Sequence, residues 1–90
     1  MTLNDSQKAD LRHEVRAALV HRHPAALSPR QLWKVVKKEL DFLFEEADVI
    51  AALELLRGYT PPQVDFTFDE LGGEKFWRAT TTGVLQEARA

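Results

Sequence analysis

The chain of 90 residues contains no cysteine, which excludes disulfide bonds and every metal site built on thiolates. No apolar run approaches the roughly 18 residues needed to span a bilayer. The N-terminal stretch MTLNDSQKAD has neither the basic nor the apolar segment of a signal peptide. The sequence therefore predicts a cytoplasmic protein with no membrane partner, whose stability comes from packing.

Glycine and proline are also scarce, with four of each, so few positions break the secondary structure outright. Apolar residues make up 44% of the chain and charged residues 29%, which is typical of a globular protein and unlike a disordered or collagenous one. At this length the chain supports one core. We expect a single small domain over residues 1–90.

The formal net charge of −2 hides an asymmetry along the chain. Residues 1–38 carry eight Lys/Arg against three Asp/Glu, whereas residues 39–90 carry four against eleven. Such a division arises either from a bipolar surface that binds partners or from two solvated faces, and charge patterning leaves both interpretations open.

The first helix is predicted over about residues 5–22. Its apolar residues recur at the helical spacing i, i+4, i+7 and i+8: Leu11, Val15, Ala18 and Leu19. Asn4 or Asp5 can cap its N-terminus. The helix must end before Pro24, because proline donates no backbone hydrogen bond and disfavours the α conformation in the residue before it.

The second helix is predicted over about residues 28–40 from the stretch LSPRQL. Ser28 can cap it, Pro29 suits the first helical position, and Gln31 can reach back to close a capping box. The two residues before the cap, 26–27, are enough only for a minimal strand. The third helix is predicted over about residues 44–57, after a break at which Asp41 can cap.

The last part of the chain has the pattern of a β-hairpin, predicted over about residues 64–81. Apolar and polar residues alternate from Val64 to Phe68, and residues 75–81 form a partner run rich in aromatic and β-branched residues. Gly72 and Gly73 permit the turn between them. Thr82 can then cap a short C-terminal turn over residues 82–89.

The order helix, minimal strand, capped helix, helix and hairpin resembles the winged helix-turn-helix fold. The resemblance covers about residues 8–87 and is carried by LSPRQLWKVV, DVIAALELLRGY and FWRATTTG. More narrowly, the chain is similar to small winged-helix proteins of Mu-like phages and prophages. The fold class expected is α+β: a three-helix winged helix-turn-helix with a C-terminal β-hairpin as its wing.

The resemblance implies a small transcriptional or phage regulator that binds double-stranded DNA. In this family the third helix enters the major groove, while helix 2 and the wing contact the backbone. The candidate nucleic-acid-binding residues are the bases of helix 2 and the wing: Arg30, Lys34, Lys37, Lys38, Lys75 and Arg78. Arg12 and Arg16 can assist them, and Trp33 either stacks on a base or packs in the core. The alternative for the basic face is a solvated surface.

The third helix departs from the family pattern because it is acidic where DNA-reading helices carry Arg or Lys. Its chemistry supports a different function, a protein-interaction or dimerisation module that does not bind DNA. The partner would be a basic protein or a second copy of the chain. The candidate partner-binding residues are the acidic and apolar ones of this helix: Glu46, Asp48, Ile50, Ala51 and Leu55. Alternatively, the acids only stabilise the helix dipole, and Ile50 and Leu55 are buried.

No stretch of the sequence has the pattern of a catalytic or cofactor site. His13, His21 and His23 lack the HExxH spacing of a helical zinc site, and neither Ser6 nor Ser28 lies in a nucleophile elbow. We expect a non-enzymatic protein without metal, cofactor or small-molecule ligand.

Overall fold

The computed structural model describes residues 2–89, which form four helices and one two-stranded antiparallel sheet, an α+β arrangement. The elements in chain order are α1 (Asp5–His21), α2 (Pro29–Val36), α3 (Glu46–Gly58), β1 (Val64–Phe68), β2 (Lys75–Ala79) and α4 (Thr81–Arg89). No helix within the described residues is long and apolar enough to cross a membrane.

Capping boxes define the starts of α1 and α2. Asn4 Oδ1 accepts a hydrogen bond from the Gln7 amide at 2.8 Å, and Gln7 Oε1 accepts one from the Asn4 amide at 3.0 Å. Ser28 and Gln31 exchange the equivalent pair at 3.2 and 2.9 Å. Each box satisfies two backbone donors that a helix start leaves free. The capping box predicted for α2 is confirmed, and Asn4 rather than Asp5 caps α1.

The predicted boundary between α2 and α3 is wrong in two respects. Helix α2 ends at Val36 rather than near residue 40, and Asp41 caps nothing, since α3 begins at Glu46. Phe44 is buried in the core, and its carbonyl accepts a 3.0 Å hydrogen bond from Trp33 Nε1. This contact holds the intervening loop against α2. Helix α3 therefore begins later in the chain than predicted, and at its start Asp48 Oδ2 accepts a hydrogen bond from the Glu45 amide at 2.8 Å.

The C-terminal segment also differs from the prediction, because α4 is a helix of nine residues rather than a short turn. Thr80 instead of Thr82 caps the N-terminus of α4. Its Oγ1 accepts a hydrogen bond from the Gly83 amide at 3.1 Å and donates one to the Pro62 carbonyl at 2.6 Å. Arg16 on α1 then donates to Glu87 on α4 at 3.0 Å. These contacts dock α4 onto α1 and the hairpin.

Strands β1 and β2 form the predicted hairpin, with Val64 opposite Ala79 and Phe66 opposite Trp77. Leu27 adds a single bridge to this sheet. Its amide donates to the Trp77 carbonyl at 2.8 Å, and the Trp77 amide donates to the Leu27 carbonyl at 2.7 Å. The minimal strand predicted before α2 is therefore confirmed.

The core lies between the first three helices and one face of the hairpin. The largest fully buried side chains come from all five of these elements: Leu11, Val15, Leu19, Leu32, Val36, Val49, Leu53, Val64 and Trp77. The stripe predicted for α1 is the buried one, and α3 buries Val49, Ala52, Leu53 and Leu56. Leu3, which precedes α1, is also buried, although no periodic pattern includes it.

Candidate functional site

The candidate bases of α2 and of the turn after it are all exposed. The apolar side of this helix, with Leu32 and Val36, is buried in the core. Arg30 and Lys34 are exposed four residues apart on α2. Lys37 and Lys38 are exposed in the turn that directly follows Val36. None of the four takes part in an ion pair within the described residues. These four exposed residues form the basic face, a candidate surface for an anionic partner.

The two candidate bases of the hairpin do not extend the basic face of α2 as one continuous surface. Opposed residues of a hairpin share a face and successive residues alternate, so Lys75 and Arg78 lie on opposite faces. The Lys75 ammonium group sits 4.5 Å from the centroid of the Phe66 ring, a cation–π contact. Arg78 is exposed and lies opposite Asp65 in the register. Each of the two charges therefore has a neighbour within the hairpin, the Phe66 ring for Lys75 and Asp65 for Arg78.

Arg16 and Trp33, which the sequence suggested as additional residues of the basic face, form contacts elsewhere. Arg16 donates to Glu87 Oε1 and to Gln63 Oε1, both at 3.0 Å. Trp33 is half-buried, its indole N–H is bound to the Phe44 carbonyl, and the Lys37 ammonium group lies 4.3 Å from its ring centroid. The geometry favours the packing role of Trp33 over stacking on a base.

An ion pair that the sequence pattern did not indicate joins α3 to the hairpin. Arg57 Nε donates to Asp65 Oδ1 at 3.3 Å, and the Arg57 guanidinium group lies 4.6 Å from the Phe66 centroid. The pKa of Asp65 is lowered, mainly because its carboxylate accepts a 2.8 Å hydrogen bond from the Phe66 amide. Slight burial opposes this shift, and the positive charge of Arg57 and Arg78 adds to it. Only the turn after α3 brings these residues together.

The outer side of α3 carries the candidate partner-binding residues, but not as one patch. Ile50 is 37% exposed and Leu55 is 50% exposed. Five residues along an α-helix correspond to a rotation of about 140°, so these side chains lie on opposite flanks. Leu55 faces a groove against α1, together with Ala51 and Asp48. Ile50 and Leu55 therefore do not form one continuous apolar patch.

The groove between α1 and α3 has a volume of about 130 Å³. Charged residues line both walls, with Lys8 and Arg12 on α1 and Asp48 on α3. Apolar residues line the remainder: Leu3, Leu11, Ala51, Ala52 and Leu55. Glu46, the remaining candidate, is exposed at the start of α3 and does not line this groove.

Within residues 2–89, no three His, Asp or Glu side chains are grouped so as to hold a metal ion. Comparisons with protein-family models, with curated proteins and with solved structures found no match.

Proposed function

We propose that the protein is a small winged-helix module that binds the backbone of double-stranded DNA through α2. The observation that carries this proposal is the exposed basic face of Arg30, Lys34, Lys37 and Lys38. Cations on such a face release counterions condensed on the phosphates, which is the main source of sequence-independent DNA affinity.

The pairing of Leu27 with Trp77 supports the winged-helix interpretation. It joins the residue before the α2 cap to the returning strand of the hairpin, so that the minimal strand and the hairpin form one small sheet beside the three helices. This is the arrangement that the resemblance implies. The hairpin is then the wing, and α2 and α3 are the helix-turn-helix pair.

The charge of α3 limits the kind of DNA recognition that we propose. Guanine is read mainly by Arg or Lys, whereas α3 carries Glu46, Asp48 and Glu54 against Arg57 alone. Carboxylates on this helix repel phosphates. Binding should therefore be backbone-directed and insensitive to sequence, as expected of a small regulator that reads DNA only with the help of other proteins.

Fluorescence anisotropy with a random duplex at low salt tests this proposal. We expect binding that weakens steeply as salt rises, because about four phosphate contacts give a slope of roughly −3 to −4 in log K against log salt. The double substitution Lys34→Glu/Lys38→Glu should abolish binding. Its matched control, Lys34→Arg/Lys38→Arg, keeps both charges and should bind within about twofold of the wild type. Failure of the wild type to bind at low salt would contradict the proposal.

A second function is supported by the groove between α1 and α3. Leu55 is half-exposed beside the small side chain of Ala51, and charged residues flank them. Apolar surface rimmed by polar groups is typical of protein interfaces. The protein would then act as an interaction module that uses α3 for a protein partner, on a surface that includes no residue of α2.

A further inference from the structure

We propose that the groove between α1 and α3 is the interface of a two-fold symmetric homodimer. This inference rests on the second function above and names its partner, a second copy of the chain. It does not depend on DNA binding by α2, which contributes no residue to the groove.

The size of the groove indicates what kind of group occupies it. Its volume of about 130 Å³ lies below the range of roughly 300–1,000 Å³ that is typical of small-molecule pockets. Leu55 projects at its edge with half of its surface exposed, next to Ala51, whose short side chain leaves space. The groove therefore suits a side chain from another protein surface, and Leu55 is itself a side chain that suits such a groove.

The charges of the two walls make the groove complementary to itself. One wall, from α1, carries Lys8 and Arg12, and the other, from α3, carries Asp48. A two-fold axis that crosses the groove sets α3 of one copy against α3 of the other, and such an isologous interface pairs residue i with j and j with i. Positive and negative groups of the two copies can then meet across the axis. The net charge of −2 per chain adds little repulsion.

None of these three charged side chains forms an ion pair within the described residues of one chain. Among residues 2–89 the ion pairs are Arg16 with Glu87 and Arg57 with Asp65, neither of which involves the groove. The Asp48 carboxylate is oriented by its hydrogen bond from the Glu45 amide at 2.8 Å, so its position on the α3 wall is defined before a partner arrives.

The order of residues along the groove selects an antiparallel arrangement of the two α3 helices. Arg12 lines both this groove and the adjoining cleft that contains Leu56 and Tyr59, so it extends toward the C-terminal end of α3. Antiparallel packing brings the Asp48 end of one α3 to that C-terminal end in the other copy. Leu55 of each copy then packs over Ala51 of the other, and Arg12 of each copy pairs with the second copy's Asp48.

Sedimentation equilibrium across micromolar to millimolar concentrations tests the dimer. The wild type should show a concentration-dependent dimer, and Leu55→Asp should raise its dissociation constant by at least about tenfold, because a central apolar contact is replaced by a charge. Ile50→Asp is the matched control: it makes the same change on the same helix, on the opposite flank, and should leave the dissociation constant within about twofold. Circular dichroism establishes that each variant keeps its helices.

Charge reversal tests the proposed pairing separately. Arg12→Glu alone and Asp48→Lys alone should each weaken self-association, because each places like charges together twice in the homodimer. An equal mixture of the two variants should form a heterodimer at least about tenfold tighter than either homodimer, since both contacts then join opposite charges. A mixture that associates no better than its components would overturn the pairing of Arg12 with Asp48.

The outcomes separate this inference from the functions on which it stands. A wild type that stays monomeric would overturn the homodimer alone. A dimer that persists in Leu55→Asp would show that the copies meet elsewhere, which overturns the groove as the homodimer interface. Duplex binding by α2 is measured independently, and Lys34→Glu/Lys38→Glu should leave the dimer unchanged.

Discussion

Gly83 on α4 packs directly against the backbone carbonyl of Gln63, so that no β-carbon fits at this position. The contact accompanies a hydrogen bond from the Thr80 amide to the same Gln63 carbonyl at 3.1 Å. The close approach is what allows α4 to lie against the segment leading into β1. It makes α4 part of the folded domain rather than a frayed tail.

Gly83→Ala should therefore destabilise the protein by about 1–3 kcal/mol, because the added methyl group collides with main-chain atoms that cannot rotate away. The expected fall in Tm is roughly 5–15 °C for a domain of this size. Gly58→Ala is the control, since a β-carbon there meets nothing within 4 Å; it should be neutral or raise stability by up to about 1 kcal/mol. Thermal unfolding followed by circular dichroism measures both. Equal stability of the two variants would contradict the packing described for α4.

Ser28→Ala should cost about 1 kcal/mol of unfolding free energy, because it removes the acceptor for the Gln31 amide at the start of α2. The chain provides its own control in Ser6, its other serine, which is exposed within α1. Ser6→Ala should be neutral or slightly stabilising, since alanine is the better helix former. Urea denaturation gives both values, and a loss in Ser6→Ala as large as that in Ser28→Ala would count against the cap.

The ion pair of Asp65 should make a small contribution to stability that depends on pH. Because the pKa of Asp65 is lowered in the folded state, its contribution is present above the unfolded pKa of 3.8 and is lost as pH falls through the folded value. The carboxylate is half-exposed, so solvent screening limits the contribution to less than about 1 kcal/mol. Asp65→Asn should lower stability at pH 7, and the gap should close as pH falls below 4.

Urea denaturation between pH 2.5 and pH 7 measures this gap. Glu70→Gln is the control, because Glu70 lies in the exposed turn and forms no ion pair within the described part of the chain. Its difference from the wild type should change little over the same range. A gap between wild type and Asp65→Asn that widened toward low pH would refute the sign of the effect.

Substitution of Lys34 should mainly change DNA binding, whereas substitution of Lys75 should mainly change stability, although both residues are candidate DNA-binding bases. Lys34→Ala should reduce the slope of log K against log salt by about 1 and change stability by less than about 0.5 kcal/mol, because Lys34 is exposed and unpaired among the described residues. Lys75→Ala should instead lower stability by about 0.5–1 kcal/mol, since it removes the contact with Phe66. Anisotropy titrations and urea denaturation separate the two effects.

The elements predicted well from the sequence are those held by local interactions. The starts of α1 and α2 depend on hydrogen bonds between residues three apart, Asn4 with Gln7 and Ser28 with Gln31. The hairpin depends on an alternating pattern and on a turn in which Gly73 adopts a φ of +68°. All of these can be recognised in a short stretch of residues.

The elements predicted badly are those whose ends are set by distant residues. Trp33 and Phe44 decide where α2 and α3 are separated, and Gln63 and Glu87 decide that α4 is a docked helix. No local pattern contains these contacts, because they form only when helices pack. The burial of Leu3 likewise follows from packing and belongs to no local pattern.

For the candidate interfaces, the sequence by itself determined which charges and apolar side chains exist and which of them share a helix. It determined that Arg30 and Lys34 share one side of α2, because residues four apart in a helix lie on the same side. Only the tertiary structure decided that Leu55 lines a groove with α1 while Ile50 lies on the other flank, and that Lys75 is held over Phe66. Helical periodicity orders side chains around one helix, whereas the neighbour that each side chain meets depends on how separate elements pack together.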